Sequence, residues 1–206
     1  MNRLPIIFIG IFATFAFAWA GLVVTPYFQI GRMDPFVNDE GQVLPPPLSG
    51  WAQEGRVVYA SSGCIYCHTQ QVRGEDQGSD LARGWGARRT VPRDYIWEKP
   101  VFLGTMRSGP DLSNIGQRQP SALWHHQHLY DPQAMSPGST MAPYRYLYRV
   151  QKIQDRPSPN GFRMPEGYDK LPPDYEIVPT YAAETLVAYL LSLNRSYALP
   201  EAPDQP

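Results

Sequence analysis

The sequence predicts a mainly α-helical protein, with one N-terminal membrane-spanning helix followed by a domain of short helices joined by long ordered loops. Three features predict this. Residues 5–24 (PIIFIGIFATFAFAWAGLVV) form an uncharged, almost wholly apolar run. The 206 residues include 22 prolines and 17 glycines, a composition that favours loops over a regular sheet. The only two cysteines lie in Cys64-Ile65-Tyr66-Cys67-His68, a spelling with a chemistry of its own. The length suits one domain plus appendages. A net charge of −1, from 18 basic and 19 acidic residues, gives no electrostatic footprint for a nucleic-acid partner.

Residues 1–26 read as the anchor. Twenty apolar residues in a helix span about 30 Å, the thickness of a bilayer's hydrocarbon layer. Trp19 and Tyr27 suit its aromatic interface belt. The rival is a cleaved signal peptide, with Ala18-Trp19-Ala20 before Gly21 as the small-residue site; the apolar run is longer than a usual signal core, which favours an anchor. Arg3 precedes the run, and Asp34, Asp39 and Glu40 follow it, so the positive-inside tendency leaves the N-terminus in the cytoplasm. Residues 27–50 read as a proline-rich linker, closed by the stiff triplet Pro45-Pro46-Pro47.

A helix is expected from Trp51 to Ser62, with Ser49 as N-cap and Trp51, Gly55, Val58 and Tyr59 on one face. A glycine inside a helix costs about 1 kcal/mol relative to alanine, so Gly55 implies the close approach of another element. The match for it is a helix from Tyr181 to Asn194, capped by Thr180, whose apolar stripe is Ala183, Leu186, Val187, Leu190 and Leu193, with Tyr189 beside it. Between these two lies a short helix, Ser121 to Tyr130, stopped by Asp131-Pro132. The domain is expected over residues 51–197, leaving 198–206 as a tail.

Cys64, Cys67 and His68 form the attachment site of one covalent haem c. Two intervening residues make one turn, which sets both sulfurs along one edge of the porphyrin, and His68 then supplies an axial nitrogen to the iron. A four-thiolate zinc site is excluded by the lack of further cysteines. His125, His126 and His128 are the remaining candidates for metal ligands, but neutral helix histidines are more often packed or hydrogen-bonded. Haem attachment takes place outside the cytoplasmic membrane, which suggests an extracytoplasmic address. The charged run from Arg73 to Lys99, interleaved with Trp85, Tyr95 and Trp97, reads as solvated surface, with docking against another subunit as the alternative. Arg73 is the candidate partner of a haem propionate. For the sixth ligand, Met106 falls on the proximal side. Met141 and Met164 stand nearly level on the spelling of the chain alone.

Two resemblances add to this. The crossing of a first and last helix through a glycine and an aromatic is similar to class I cytochromes c, and in that class a proline carbonyl accepts a hydrogen bond from the proximal histidine; Pro110, in Gly109-Pro110-Asp111-Leu112, corresponds. The chain more specifically resembles the mono-haem cytochrome c subunit (subunit II) of the C-family, cbb-type haem–copper oxidases. The resemblance runs through Gly55-Arg56, Tyr59, Gly63 to Gln70, Gly109 to Leu112, Trp124-His125, His128-Leu129 and Pro137 to Tyr144, about three quarters of the chain. It implies a class I cytochrome c-like domain and Met141 as the distal ligand. It also implies an electron-transfer subunit in a bacterial inner membrane, its haem domain on the periplasmic side. Such a subunit takes electrons from other c-type cytochromes and passes them towards a catalytic, haem-containing integral membrane subunit. The chain departs from the usual pattern where Ala142 separates Met141 from Pro143, and in residues 83–103 and 151–179. Other readings are a free-standing tethered carrier, the cytochrome c subunit of a nitric oxide reductase, and a haem sensor. No acid/base pair or nucleophile stands out, so the chain reads as non-catalytic by itself.

Overall fold

A computed structural model of the protein describes residues 3–202. It divides into two compact units. Residues up to Pro46 together with Val91–Glu98 form the first, and Pro47–Thr90 with residues from Lys99 onward form the second.

The first unit is built on one continuous helical rod. α1 (Leu4–Trp19) passes through a π-helical turn (Ala20–Val24) into α2 (Thr25–Ile30). The rod is therefore longer than the apolar run, and the helix continues past Val24 into what the sequence suggested was linker. Its 27 residues span about 40 Å, enough to cross a bilayer with some tilt. None of its residues is buried; a helix that is apolar all round and this exposed needs lipid or protein around it. The π-turn has a local cause. Pro26 cannot donate to the ladder, and Thr25 instead bonds back five residues, its backbone N–H and its Oγ1 (2.9 Å) both donating to the Ala20 carbonyl. Arg32 lies over the rings of Tyr27 (5.4 Å) and Phe28 (5.6 Å).

The expected linker is not free chain. β1 (Phe36–Val37) and β2 (Val43–Leu44) pair antiparallel. Segment 91–98, from the charged run, closes against them. The Trp97 Nε1–H donates to the Pro45 carbonyl at 2.8 Å, and the Arg93 guanidinium donates to the Asp34 carbonyl.

The second unit is organised by two crossed helices, α3 (Gly50–Ser61) and α7 (Tyr181–Ser192). Both start where the sequence places a cap: Ser49 Oγ accepts from Ala52 N–H at 3.2 Å, and Thr180 Oγ1 from Ala183 N–H at 3.4 Å. Gly55 and Tyr59 lie on the buried face of α3 as expected, joined by Ala52 in place of Trp51; Trp51 is exposed and meets Tyr181 edge-on. A Cβ on Gly55 would fall on the Thr185 carbonyl and within 2.9 Å of Tyr189 Cβ, which is the reason for that glycine. Tyr59 is sandwiched, edge-on to Tyr189 at 5.3 Å and stacked on Phe102 at 6.0 Å. Below them, buried Gln70 bonds the Tyr189 hydroxyl at 3.0 Å.

Shorter helices α4 (Ile115–Arg118), α5 (Ala122–Tyr130) and α6 (Pro132–Met135) complete the helical part. The sequence reading missed the antiparallel pair β3 (Tyr148–Lys152) and β4 (Tyr175–Pro179). The signal was there in the β-branched and aromatic run Tyr175-Glu176-Ile177-Val178, masked by its buried glutamate. Glu176 is tolerated because Ser158 and Gln151 donate to its carboxylate. The loop between these strands is tied by Arg163, which reaches Asp169 at 2.5 Å and the carbonyls of Leu171, Pro172 and Tyr175. The expected tail is partly structured as well: Leu199 and Ala202 are buried and bridge each other.

Candidate functional site

Gly63 ends α3 with φ +76°, a conformation that costs glycine nothing. It turns the chain into a single 3₁₀ turn, Cys64–Tyr66. Both the Cys67 and His68 N–H groups bond back to the Cys64 carbonyl, at 3.2 and 3.0 Å. One turn thus carries two unbridged thiols, Cys64 buried and Cys67 exposed, and delivers the imidazole after them. Burial pushes the Cys64 thiol up to about 11.

The His68 ring is held from the opposite loop. Its Nδ1 is 2.8 Å from the Pro110 carbonyl, so Nδ1 carries the proton and Nε2 keeps its lone pair. Gly109 lies flat against the ring, and a Cβ there would come within 2.7 Å of Nδ1 and 2.9 Å of Nε2. Burial draws His68 below its ordinary value, against the Pro110 bond and the Asp111 charge, favouring the neutral, ligating form.

Backbone rungs lock the two loops together: Gly109 N–H to Cys67 O (3.0 Å), Leu112 N–H to Thr69 O (2.8 Å) and Gln70 N–H to Leu103 O (2.9 Å). Behind them is a buried polar network that sequence reasoning did not find. Asp111, fully buried, accepts from Thr69 Oγ1 at 2.6 Å, Gln71 N–H at 2.7 Å and Ser113 N–H at 2.8 Å. Arg107 donates to Thr69 Oγ1 at 2.9 Å and grips Asp80 bidentately at 2.6 and 2.7 Å. Burial raises the Asp80 carboxyl, but hydrogen bonds from Arg107 and from the Arg73 N–H override it and hold it below the usual range. Arg73 Nε lies 3.6 Å from the same carboxylate, with the side chain part-exposed. The charged run is therefore not simply solvated surface: Asp80, Arg88 and Asp94 are buried in it. Arg88 bonds the Tyr197 and Arg89 carbonyls and stacks over the Tyr197 ring.

On the other side, Cys64 belongs to an apolar core with Leu129, Phe162 and Met164, and Met141, Ile65 and Tyr144 pack at its margin. Met164 is buried, Met141 half-buried and Met106 exposed at 58%. The three α5 histidines diverge. His125 Nε2 is 2.8 Å from the Gln119 carbonyl, and His126 Nδ1 is 3.2 Å from the Tyr148 hydroxyl. His128 stacks on Trp124, centroids 4.7 Å apart, and its Nδ1 is buried with no hydrogen-bond partner among the described residues. No group of three or more histidine, cysteine or acidic side chains able to hold a bare metal ion occurs among the described residues.

This donor set fits a haem: two free thiols one turn apart, an imidazole with one nitrogen tied and the other available, thioethers in the adjoining core, and a buried histidine nitrogen unmatched among the described residues. Residues 1–159 match the family model described as "Cytochrome C oxidase, mono-heme subunit/FixO". No individual curated protein matches the chain.

Proposed function

Because the chain belongs to the mono-haem subunit (FixO) family of cytochrome c oxidases, we propose that it is the membrane-anchored electron-transfer subunit of a cbb-type haem–copper oxidase complex. In this reading Cys64 and Cys67 bond a single haem c in a class I cytochrome c-like domain. His68 and Met141 ligate its iron, which when bound cycles between two valences and so carries one electron at a time. The chain's own residues supply placement. Pro110 fixes the plane of the His68 ring, Gly109 lets the ring lie against the loop, and the Thr69–Asp111–Arg107 network keeps that loop in register. Arg73 holds Asp80 through Nε and is the proposed propionate partner through its remaining donors. Electrons come from a c-type cytochrome and pass to the catalytic, haem-containing membrane subunit.

The observation that carries the reading is the 2.8 Å contact of His68 Nδ1 with the Pro110 carbonyl, one turn after two unbridged thiols. The location in a bacterial inner membrane, haem domain outward, is supported by the helix Leu4–Ile30 and by where haem attachment takes place. Arg32 at the far end of that helix offsets Arg3, so the charge flanks alone favour neither orientation.

The denatured polypeptide is expected to keep visible haem absorption and the added mass of one haem. Cys64→Ala/Cys67→Ala should lose both. A bare mass for the unsubstituted chain would refute the attachment. Met141→Ala should abolish the long-wavelength sulfur-to-iron band of the oxidised protein; if Met164→Ala does so instead, the ligand assignment is wrong. In mild detergent the chain should travel with larger membrane subunits, whereas a free carrier would migrate alone.

A further inference from the structure

Each of the three histidines on α5 is packed, but among the described residues only two find a hydrogen-bond partner. His125 has the Gln119 carbonyl and His126 the Tyr148 hydroxyl, and the His126 ring also stacks on Phe162. His128 differs. Its ring is clamped parallel to Trp124, 10° between planes, so its nitrogens cannot swing freely to find partners. Nδ1 is buried in that pose with no partner among the described residues. A buried polar nitrogen left unmatched forfeits its hydration with no return, and native structures rarely keep one without a reason. The environment favours the neutral ring: burial first, then the charges of His125 and His68, draw His128 down to about 4. A neutral imidazole offers one N–H and one lone pair. Leu129, the next residue along, packs in the core that holds Cys64, with Met141 against its margin, which sets this stretch of α5 beside the attachment turn. His128 also shares its helix face with His125 and Leu129, the residues α5 buries in the domain core.

We propose that His128 is a positioning residue of the haem site, its Nδ1–H donating a hydrogen bond to an acceptor that the haem brings in or draws into place: a propionate oxygen, or the sulfur of the sixth ligand once it turns to the iron. The inference rests on the haem reading above. It differs from that reading in assigning a role to a residue outside the attachment motif and the axial pair. The stack on Trp124 is what makes the nitrogen a fixed donor, since a ring free to rotate would lose part of the gain to entropy.

The test compares His128→Phe, which keeps a ring over Trp124 but no N–H, with His128→Gln, which keeps an N–H. Both are made in the full-length chain within its native membrane assembly. Haem staining of the denatured chain reports on attachment and is expected to survive in His128→Gln. The midpoint potential of the haem should shift in His128→Phe by roughly tenfold in the electron-exchange equilibrium, about 59 mV for one electron, and return part-way in His128→Gln. If the acceptor is a propionate, the pH dependence of the potential changes while the sulfur-to-iron band stays. If it is the ligand sulfur, that band moves or weakens and the reduced protein begins to bind carbon monoxide. Loss of haem from His128→Phe but not from His128→Gln also supports the proposal. A potential, pH slope and band all unchanged in His128→Phe would overturn it, as would equal loss of haem from both variants, which marks a packing role. Absence of haem from the unsubstituted chain would instead refute the reading beneath it.

Discussion

Gly55→Ala is expected to lower the thermal unfolding midpoint of the haem domain by roughly 6–12 °C, from an overpacking cost of about 3 kcal/mol. The added methyl would meet the Thr185 carbonyl and come within 2.9 Å of Tyr189 Cβ. Neither obstacle is the end of a flexible side chain. The first is backbone in the middle of α7, and the second is rooted there, so relief requires α3 and α7 to separate. Separation would loosen Tyr59 between Tyr189 and Phe102 and pull the Tyr189 hydroxyl from Gln70. The helical gain of alanine over glycine, about 1 kcal/mol, is too small to offset this. Gly50→Ala is the control: it opens the same helix with nothing within 4 Å of its would-be Cβ, and its midpoint should hold or rise slightly. Calorimetry or circular dichroism on the two variants decides. Equal midpoints would mean that the helix crossing is looser than described.

Gly109→Ala acts on the proposed iron ligand rather than on the core. A Cβ there would stand within 2.7 Å of His68 Nδ1, the atom held by the Pro110 carbonyl. The ring must tip away, and the bond that orients it is lost. A hydrogen bond that fixes a ligating imidazole is worth roughly 10- to 100-fold in metal affinity or activity. The expected outcome is a fall in the haem-to-polypeptide ratio, with the remaining low-spin signal altered in the reduced spectrum. Gly41→Ala serves as a comparison of another kind. It has open space but φ +76°, so it strains the β1–β2 turn without touching His68 or the Met141 loop and should leave the spectrum unchanged. A normal spectrum and full occupancy in Gly109→Ala would show that the ring does not depend on that contact.

Much of the site was legible because its chemistry is spelled locally. Two cysteines and a histidine within one turn declare themselves in any order of reading, and the caps Ser49 and Thr180 mark helix starts through the same short-range physics. Gly55 was legible as a demand for close approach because glycine inside a helix has a cost that something must justify. The rest was hidden for two reasons. Arg107 reaches Asp80 across 27 residues and Thr69 reaches Asp111 across 42, and charged residues in a polar stretch look solvated until folding pairs and buries them. The buried face of α3 keeps Gly55 and Tyr59 where they were expected, but Ala52 takes the place given to Trp51. Trp51 is the larger hydrophobe, but Ala52 is the residue small enough to sit beneath α7. Choosing between Met141 and Met164 from the sequence rested on kinship, since both thioethers lie in or beside the core around Cys64.

The match to relatives stops at residue 159, yet β4, α7 and the loop carrying Met164 all come later. The carbonyl that makes Gly55 obligatory and the phenol that satisfies Gln70 belong to that unmatched part. A chain shortened to its recognisable portion would therefore expose the inner side of α3 and strand an amide in the interior. Kinship ends before the keystone does, and any truncated version intended for expression has to run through at least Ala202 to keep the buried Leu199 and the carbonyl that Arg88 holds at Tyr197.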